Sequence, residues 1–178
     1  MRTLVVYESI YGNTRQLAEA IADGCRQAGD ASAIRLAEAN PGSFADLGLL
    51  VLGAPTHAWG LSRAGTRKAA VANPAKGSPP AEAAADQPGM RELLAELPRL
   101  ECPGAAFDTR LKAPGWLTGH AAHGIAHRLR QHGVQVLGRP ESFFVTKQNQ
   151  LRAGELERAR AWGVELTERR ARLAGSHH

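Results

Sequence analysis

Residues 5–24 read VVYESIYGNTRQLAEAIADG, and the fold turns on how this stretch is parsed. Leu4 to Tyr7 form a short unbroken apolar run, the pattern of a strand covered on both faces. From Asn13 to Ala28, Leu17, Ile21, Gly24 and Ala28 recur at helical spacing, and Gly29 is placed to end the helix. Between strand and helix lies Ser9-Ile10-Tyr11-Gly12-Asn13-Thr14, a loop of hydroxyls, an amide and a glycine. Ser9, Asn13 and Thr14 can donate hydrogen bonds, and Gly12 lets the backbone come close. The amides entering the helix add oriented donors and the positive end of its dipole. Together these make a phosphate cradle. It lacks the lysine and spacing of a Walker loop and the G-x-G-x-x-G of a dinucleotide site, which suggests a cofactor monoester that is anchored and not transferred. The competing reading is a polar turn that caps a helix, a common use of Asn and Thr.

Outward from this stretch, Ala33–Leu36 is a weaker strand, Leu47–Gly53 the strongest, and Ala105–Phe107 a fourth. Thr118–His132 reads as a helix ended by Gly133. Val134–Leu137 and Ser142–Val145 together suggest a fifth strand, interrupted at Arg139-Pro140. A last helix spans about 155–173, with Leu156, Ala159, Gly163, Leu166 and Leu173 on one face and the pairs Glu165–Arg169 and Glu168–Arg172 one turn apart. Strands alternating with helices predict an α/β fold, a parallel sheet with helices on both faces. Ala72–Gly89, ANPAKGSPPAEAAADQPG, breaks this rhythm and has little to bury. So long a loop is expected to be either a mobile insertion or a flap over a ligand.

Two further loops follow strands, at the sheet edge where such folds bind ligands. In Pro55-Thr56-His57-Ala58-Trp59-Gly60, Pro55 stiffens the loop, Thr56 offers a hydroxyl, and Trp59 could cover a flat ring or pack beneath the loop. His57 reads as a hydrogen-bonding residue. The other loop, from Asp108 to Gly119, carries Thr109, Arg110, Lys112 and a second tryptophan, Trp116. Two loop tryptophans beside a phosphate cradle suggest a planar ring with a phosphorylated tail. His120, His123 and His127 sit on a helix without Asp, Glu or Cys partners and read as surface or packing residues, so no metal site is predicted.

At 178 residues, 43% of them hydrophobic, the chain fits one domain, over 1–174. The closing Gly175-Ser176-His177-His178 resembles an affinity-tag stub. No apolar run is long enough for a membrane span, and strand-like sequence begins at once, so the chain reads as cytoplasmic. Cys25 and Cys102 lack metal or redox spacing and read as reduced, structural residues. The net charge of +5 favours acidic partners. Specific nucleic-acid binding is not expected, because the basic residues are dispersed and aromatics make up 5% of the chain.

In these features the sequence resembles the flavodoxin family, over most of the chain from Leu4 to the last helix. Ser9–Thr14 corresponds to the flavin phosphate loop, Thr56–Gly60 to the first isoalloxazine loop, and 108–119 to the second. The resemblance implies a three-layer, doubly wound sheet of five parallel strands in the order 2-1-3-4-5, with FMN at the strand ends. It implies cofactor contacts from Ser9, Ile10, Tyr11, Gly12, Asn13 and Thr14, from Pro55, Thr56, His57, Ala58, Trp59 and Gly60, and from Asp108, Thr109, Arg110 and Trp116. It also implies electron transfer to a redox partner protein. Three departures matter: Tyr11 stands where many flavodoxins have Thr, so that one side-chain donor is either lost or replaced by the phenol; Leu61-Ser62-Arg63 replaces acidic residues after the first ring loop; and the chain is basic. A basic rim should make the bound flavin a weaker reductant than in acidic flavodoxins and should steer acidic partners. An FMN-dependent NAD(P)H or quinone oxidoreductase, using a small-molecule electron donor or acceptor, is the alternative. A flavodoxin-fold binding module that has lost flavin is a third reading.

Overall fold

The computed structural model describes residues 1–56, 60–74, 76–82, 87–113 and 119–175. Its centre is a parallel sheet of five strands: β1 (Thr3–Tyr7), β2 (Ala31–Arg35), β3 (Leu49–Pro55), β4 (Gly104–Leu111) and β5 (Glu141–Val145), in the order β2-β1-β3-β4-β5. The predicted order is the observed one. Val5 aligns with Ala33 on one side and Val51 on the other, Val51 with Ala105, and Thr109 with Phe143.

Because successive strand residues face opposite sides, the sheet carries two cores. Val5, Tyr7, Val51, Phe107 and Phe143 face α1 (Asn13–Cys25) and the long C-terminal helix Glu155–Gly175. Trp162 of that helix closes an edge-to-face trio with Phe107 and Phe143, at centroid separations of 6.0–6.2 Å. On the other face Leu4, Val6, Leu50 and Leu52 pack with Leu94, Ile125 and Leu129. These come from α3 (Met90–Glu96) and α4 (Ala121–Gln131); α2 spans Ala64–Ala72, and the C-terminal helix is α5. No helix among the described residues is long and apolar enough to cross a membrane.

Boundaries differ from the sequence reading where local chemistry intervenes. The first helix ends at Cys25 and tightens into a 3-10 turn over Arg26–Ala28 before Gly29. The β2 strand begins at Ala31, and Leu36 opens another 3-10 turn. The fifth strand is interrupted as expected. Gln135 and Leu137 bond to Gly104 at the start of β4, the backbone turns at left-handed Gly138, and β5 resumes at Glu141. β4 runs well past Phe107, so Asp108, Thr109 and Arg110, expected in a loop, belong to a strand. The α2 and α3 helices bracket the predicted insertion, one ending at Ala72 and the other starting at Met90.

Candidate flavin cleft

The strand order reverses between β1 and β3, and there the loops after their carboxyl ends diverge and leave a crevice. A cleft of about 310 Å³ occupies this position. Ile10, Tyr11, Asn13 and Thr14 form one wall, Pro55 and Thr56 a second, and Thr109, Arg110 and Leu111 a third. Eight of the residues expected to contact a cofactor are therefore brought together around one opening.

The loop of the first wall is held by bonds within itself and to its neighbours. Gly12 adopts φ +84°, a left-handed conformation that suits glycine, and its N–H donates to Ser9 Oγ at 3.1 Å. Asn13 Nδ2 donates to the carbonyl of Asn149 at 2.8 Å, and Thr14 Oγ1 pairs with Thr109 Oγ1 at 3.1 Å. The Asn13 donor and the Ser9 acceptor are thus engaged within the protein. The Asn13, Thr14 and Arg15 amides occupy the first turn of α1, where no intrahelical carbonyl can accept from them. The donors this loop leaves open are backbone N–H groups more than the hydroxyls singled out in the sequence.

At Tyr11, of the two alternatives open in the sequence, the structure shows the phenol engaged within the protein. It donates to the Ala70 carbonyl of α2 at 2.6 Å, so that hydrogen is not available to a phosphate. The phenol anchors α2 against the loop. Ser9 is buried behind the cleft, propping Gly12.

Asp108 is fully buried and serves α4: its Oδ2 accepts from the Ala122 N–H at 2.9 Å and from Thr56 Oγ1 at 3.1 Å. Thr56 Oγ1 in turn accepts from the Ala121 N–H at 3.1 Å. A carboxylate at a helix N-terminus satisfies donors and complements the dipole, which accounts for Asp108 on the face away from the cleft. His120 stands at the same helix end, with burial and the nearby Arg110 guanidinium pushing its imidazole pKa down. Gly60 is among the described residues, whereas His57, Ala58, Trp59 and Trp116 lie outside them.

A second set of residues went unread in the sequence. Glu8, immediately before the Ser9–Thr14 loop, is buried; it accepts from Ser62 Oγ and, at 2.8 Å, from the Met90 N–H. Arg67 of α2, also buried, donates to Ser62 Oγ at 3.1 Å and pairs with Glu92 at 3.5 Å. This network ties both flanks of the 72–89 insertion to the end of β1. A buried Glu and a buried Arg so far apart in the chain carry no periodic signature.

Residues 4–66 match a family model described as the flavodoxin domain. The fold is that of the flavodoxins. A flavodoxin from the domain Archaea superposes with a TM-score of 0.67 at 20% identity, over 96% of this chain and 99% of that one. Oxidised flavodoxin 1 from Bacillus cereus gives 0.64 at 15% identity, over 94% and 98%. The rubredoxin oxygen:oxidoreductase of Desulfovibrio gigas gives 0.63 at 16% identity, over 97% of this chain but 37% of that larger protein. No curated protein matches the chain. The flavodoxin-domain match spans β1, the Ser9–Thr14 loop, α1, β2, β3 and the start of α2.

Proposed function

We propose that the protein binds FMN in this cleft and carries electrons to a redox partner. The observation that supports this best is the convergence of the α1 amides, the Thr14–Thr109 hydroxyl pair and Thr56 on one cleft at the switch point of a flavodoxin fold. The residues present fit a flavin phosphate. A left-handed Gly12 opens the helix, first-turn N–H groups without helical acceptors are left for the anion, and no lysine is needed because the phosphate is held and not transferred. Bound flavin supplies one- and two-electron redox chemistry, while the chain binds, orients and shields it. Pro55 and Thr56 at the end of β3 and Thr109 to Leu111 of β4 line the cleft, which supports placing the ring at these strand ends.

The rim favours an acidic partner. Leu111, 42% exposed, borders the cleft between Arg110 and Lys112. Both cations lie over the Phe144 ring, at 5.1 and 5.9 Å, and Arg158 approaches the same ring at 5.7 Å. An apolar centre ringed by cations suits a protein whose contact face carries carboxylates. Reduced, FMN-loaded protein mixed with an acidic electron acceptor is expected to react about tenfold more slowly when ionic strength rises from about 0.02 to about 0.5 M. Faster reaction with added salt, or a preference for a basic acceptor, would remove the acidic-partner reading.

A further inference from the structure

Residues 76–82 pack against the Ser9–Thr14 loop, with Pro79 and Glu82 bordering a space also lined by Tyr11, Asn13 and Gln16. The Glu82 N–H donates to the Ile10 carbonyl at 2.7 Å. The Glu82 carboxylate accepts from Arg15 Nη2 at 2.9 Å, from Arg15 Nε at 3.2 Å and from Arg35 Nη2 at 3.2 Å. Arg35 also donates to the Ser9 carbonyl at 3.3 Å. At the other end of the segment, Ser78 Oγ accepts from Asn149 Nδ2 at 2.8 Å, and the Asn149 carbonyl accepts from Asn13. The strap therefore grips the loop twice, through Glu82 at its β2 side and through Asn149 at the first residue of α1. A Cβ on Gly12 would come within 2.6 Å of Glu82 Oε1, so carboxylate and loop are in direct contact.

We infer that Glu82 is a positioning residue for the phosphate loop, a latch that with Arg15 and Arg35 holds residues 9–15 in their anion-binding shape before any ligand arrives. Three observations carry this. The carboxylate reaches two arginines from different elements, α1 and the end of β2, which a chance surface pair does not do. The groups are only partly exposed, 28% for Glu82, 35% for Arg15 and 21% for Arg35, so solvent screens them incompletely. The Glu82 backbone is bonded into the loop as well, so the carboxylate is delivered and not merely nearby. Hydrogen bonding to Arg15 holds the Glu82 carboxyl below its usual range and raises the Arg15 guanidinium, which keeps both charged at neutral pH. Arg15 also pairs with Glu19 at 3.1 Å, so two guanidiniums meet two carboxylates beside the loop.

A loop fixed before binding loses less entropy when the phosphate arrives, so the latch should act on phosphate affinity and leave ring contacts alone. This last step rests on the flavin reading; the loop-holding step does not.

The test compares the wild-type chain with Glu82→Gln and Arg15→Gln. The first readout is amide hydrogen exchange in ligand-free protein, and the second is dissociation of added FMN and of added riboflavin, which lacks the phosphate. The expected result is about fivefold faster exchange in both variants at Gly12 and Gln16, whose N–H groups bond to Ser9 Oγ and to the Gly12 carbonyl, with α5 unchanged, and about fivefold faster loss of FMN with riboflavin unaffected. Unchanged loop exchange overturns the latch. So does loop loosening that weakens FMN and riboflavin equally. If the loop loosens in the variants but the wild type takes up neither flavin, the latch stands and the flavin reading falls.

Discussion

Replacing Gly12 with alanine is expected to cut FMN affinity by more than about tenfold and to lower stability by about 1–2 kcal/mol. Two costs combine at this residue. Its φ of +84° is a left-handed conformation that an L side chain adopts only at a penalty. The added methyl would also stand 2.6 Å from Glu82 Oε1, forcing the latch or the loop to shift. Because the first-turn amides of α1 follow Gly12 directly, a small rotation there misdirects the donors meant for the phosphate. Fluorescence titration with FMN, beside a thermal melt, separates the two costs. A Gly12→Ala variant that binds FMN as well as the wild type would mean that the loop geometry is not what holds the ligand.

The largest effect on stability is expected where α1 crosses α5. A Cβ on Gly24 would meet the Arg160 carbonyl oxygen at 2.1 Å, and one on Gly163 would meet the Ile21 carbonyl oxygen at 2.2 Å. Each glycine seats the backbone of the other helix. Alanine for glycine inside a helix gains about 1 kcal/mol of propensity. Separating two packed helices costs about 3 kcal/mol or more, because the obstacle is backbone and cannot rotate away. The clash wins. Gly163→Ala should lose about 2 kcal/mol net, lowering Tm by roughly 4–8 °C. Gly24→Ala should do the same, and the double variant should cost less than the sum, since one separation relieves both contacts. A Gly163→Ala variant more stable than the wild type would show that the helices do not approach this closely. The crossing matters for the site because it fixes the axis of α1, and with it the aim of the amides at Asn13–Arg15.

Much of this architecture was legible in residues 4–53. Buried strands in a parallel sheet read as continuous apolar runs, and Leu4–Tyr7 and Leu49–Leu52 are such runs. The Ser9–Thr14 loop stood out because its polarity lies between two strongly patterned neighbours. Other parts were hidden for identifiable reasons. In α2 only Arg67 is buried, so the helix has no apolar stripe to announce it. The α3 helix did carry a signal, with Met90, Leu94 and Leu97 at helical spacing and the Glu92 carboxylate accepting from the Gly89 N–H at 2.9 Å, but it was masked by the proline-rich stretch before it. Asp108 and Arg110 are poor strand formers and concealed the far half of β4, where pairing with β3 and β5 overrides propensity. The roles of Tyr11, Asn13 and Glu82 depend on partners 59, 136 and 67 residues away, a separation that local pattern cannot reveal.

The most direct test of the central claim is a side-by-side fluorescence titration of the protein with FMN and with riboflavin. If the loop from Ser9 to Thr14 grips a flavin through its phosphate, charge-assisted bonds to first-turn amides should make FMN bind at least about 100-fold more tightly than riboflavin. Equal affinities for the two flavins, or none for either, would contradict the account.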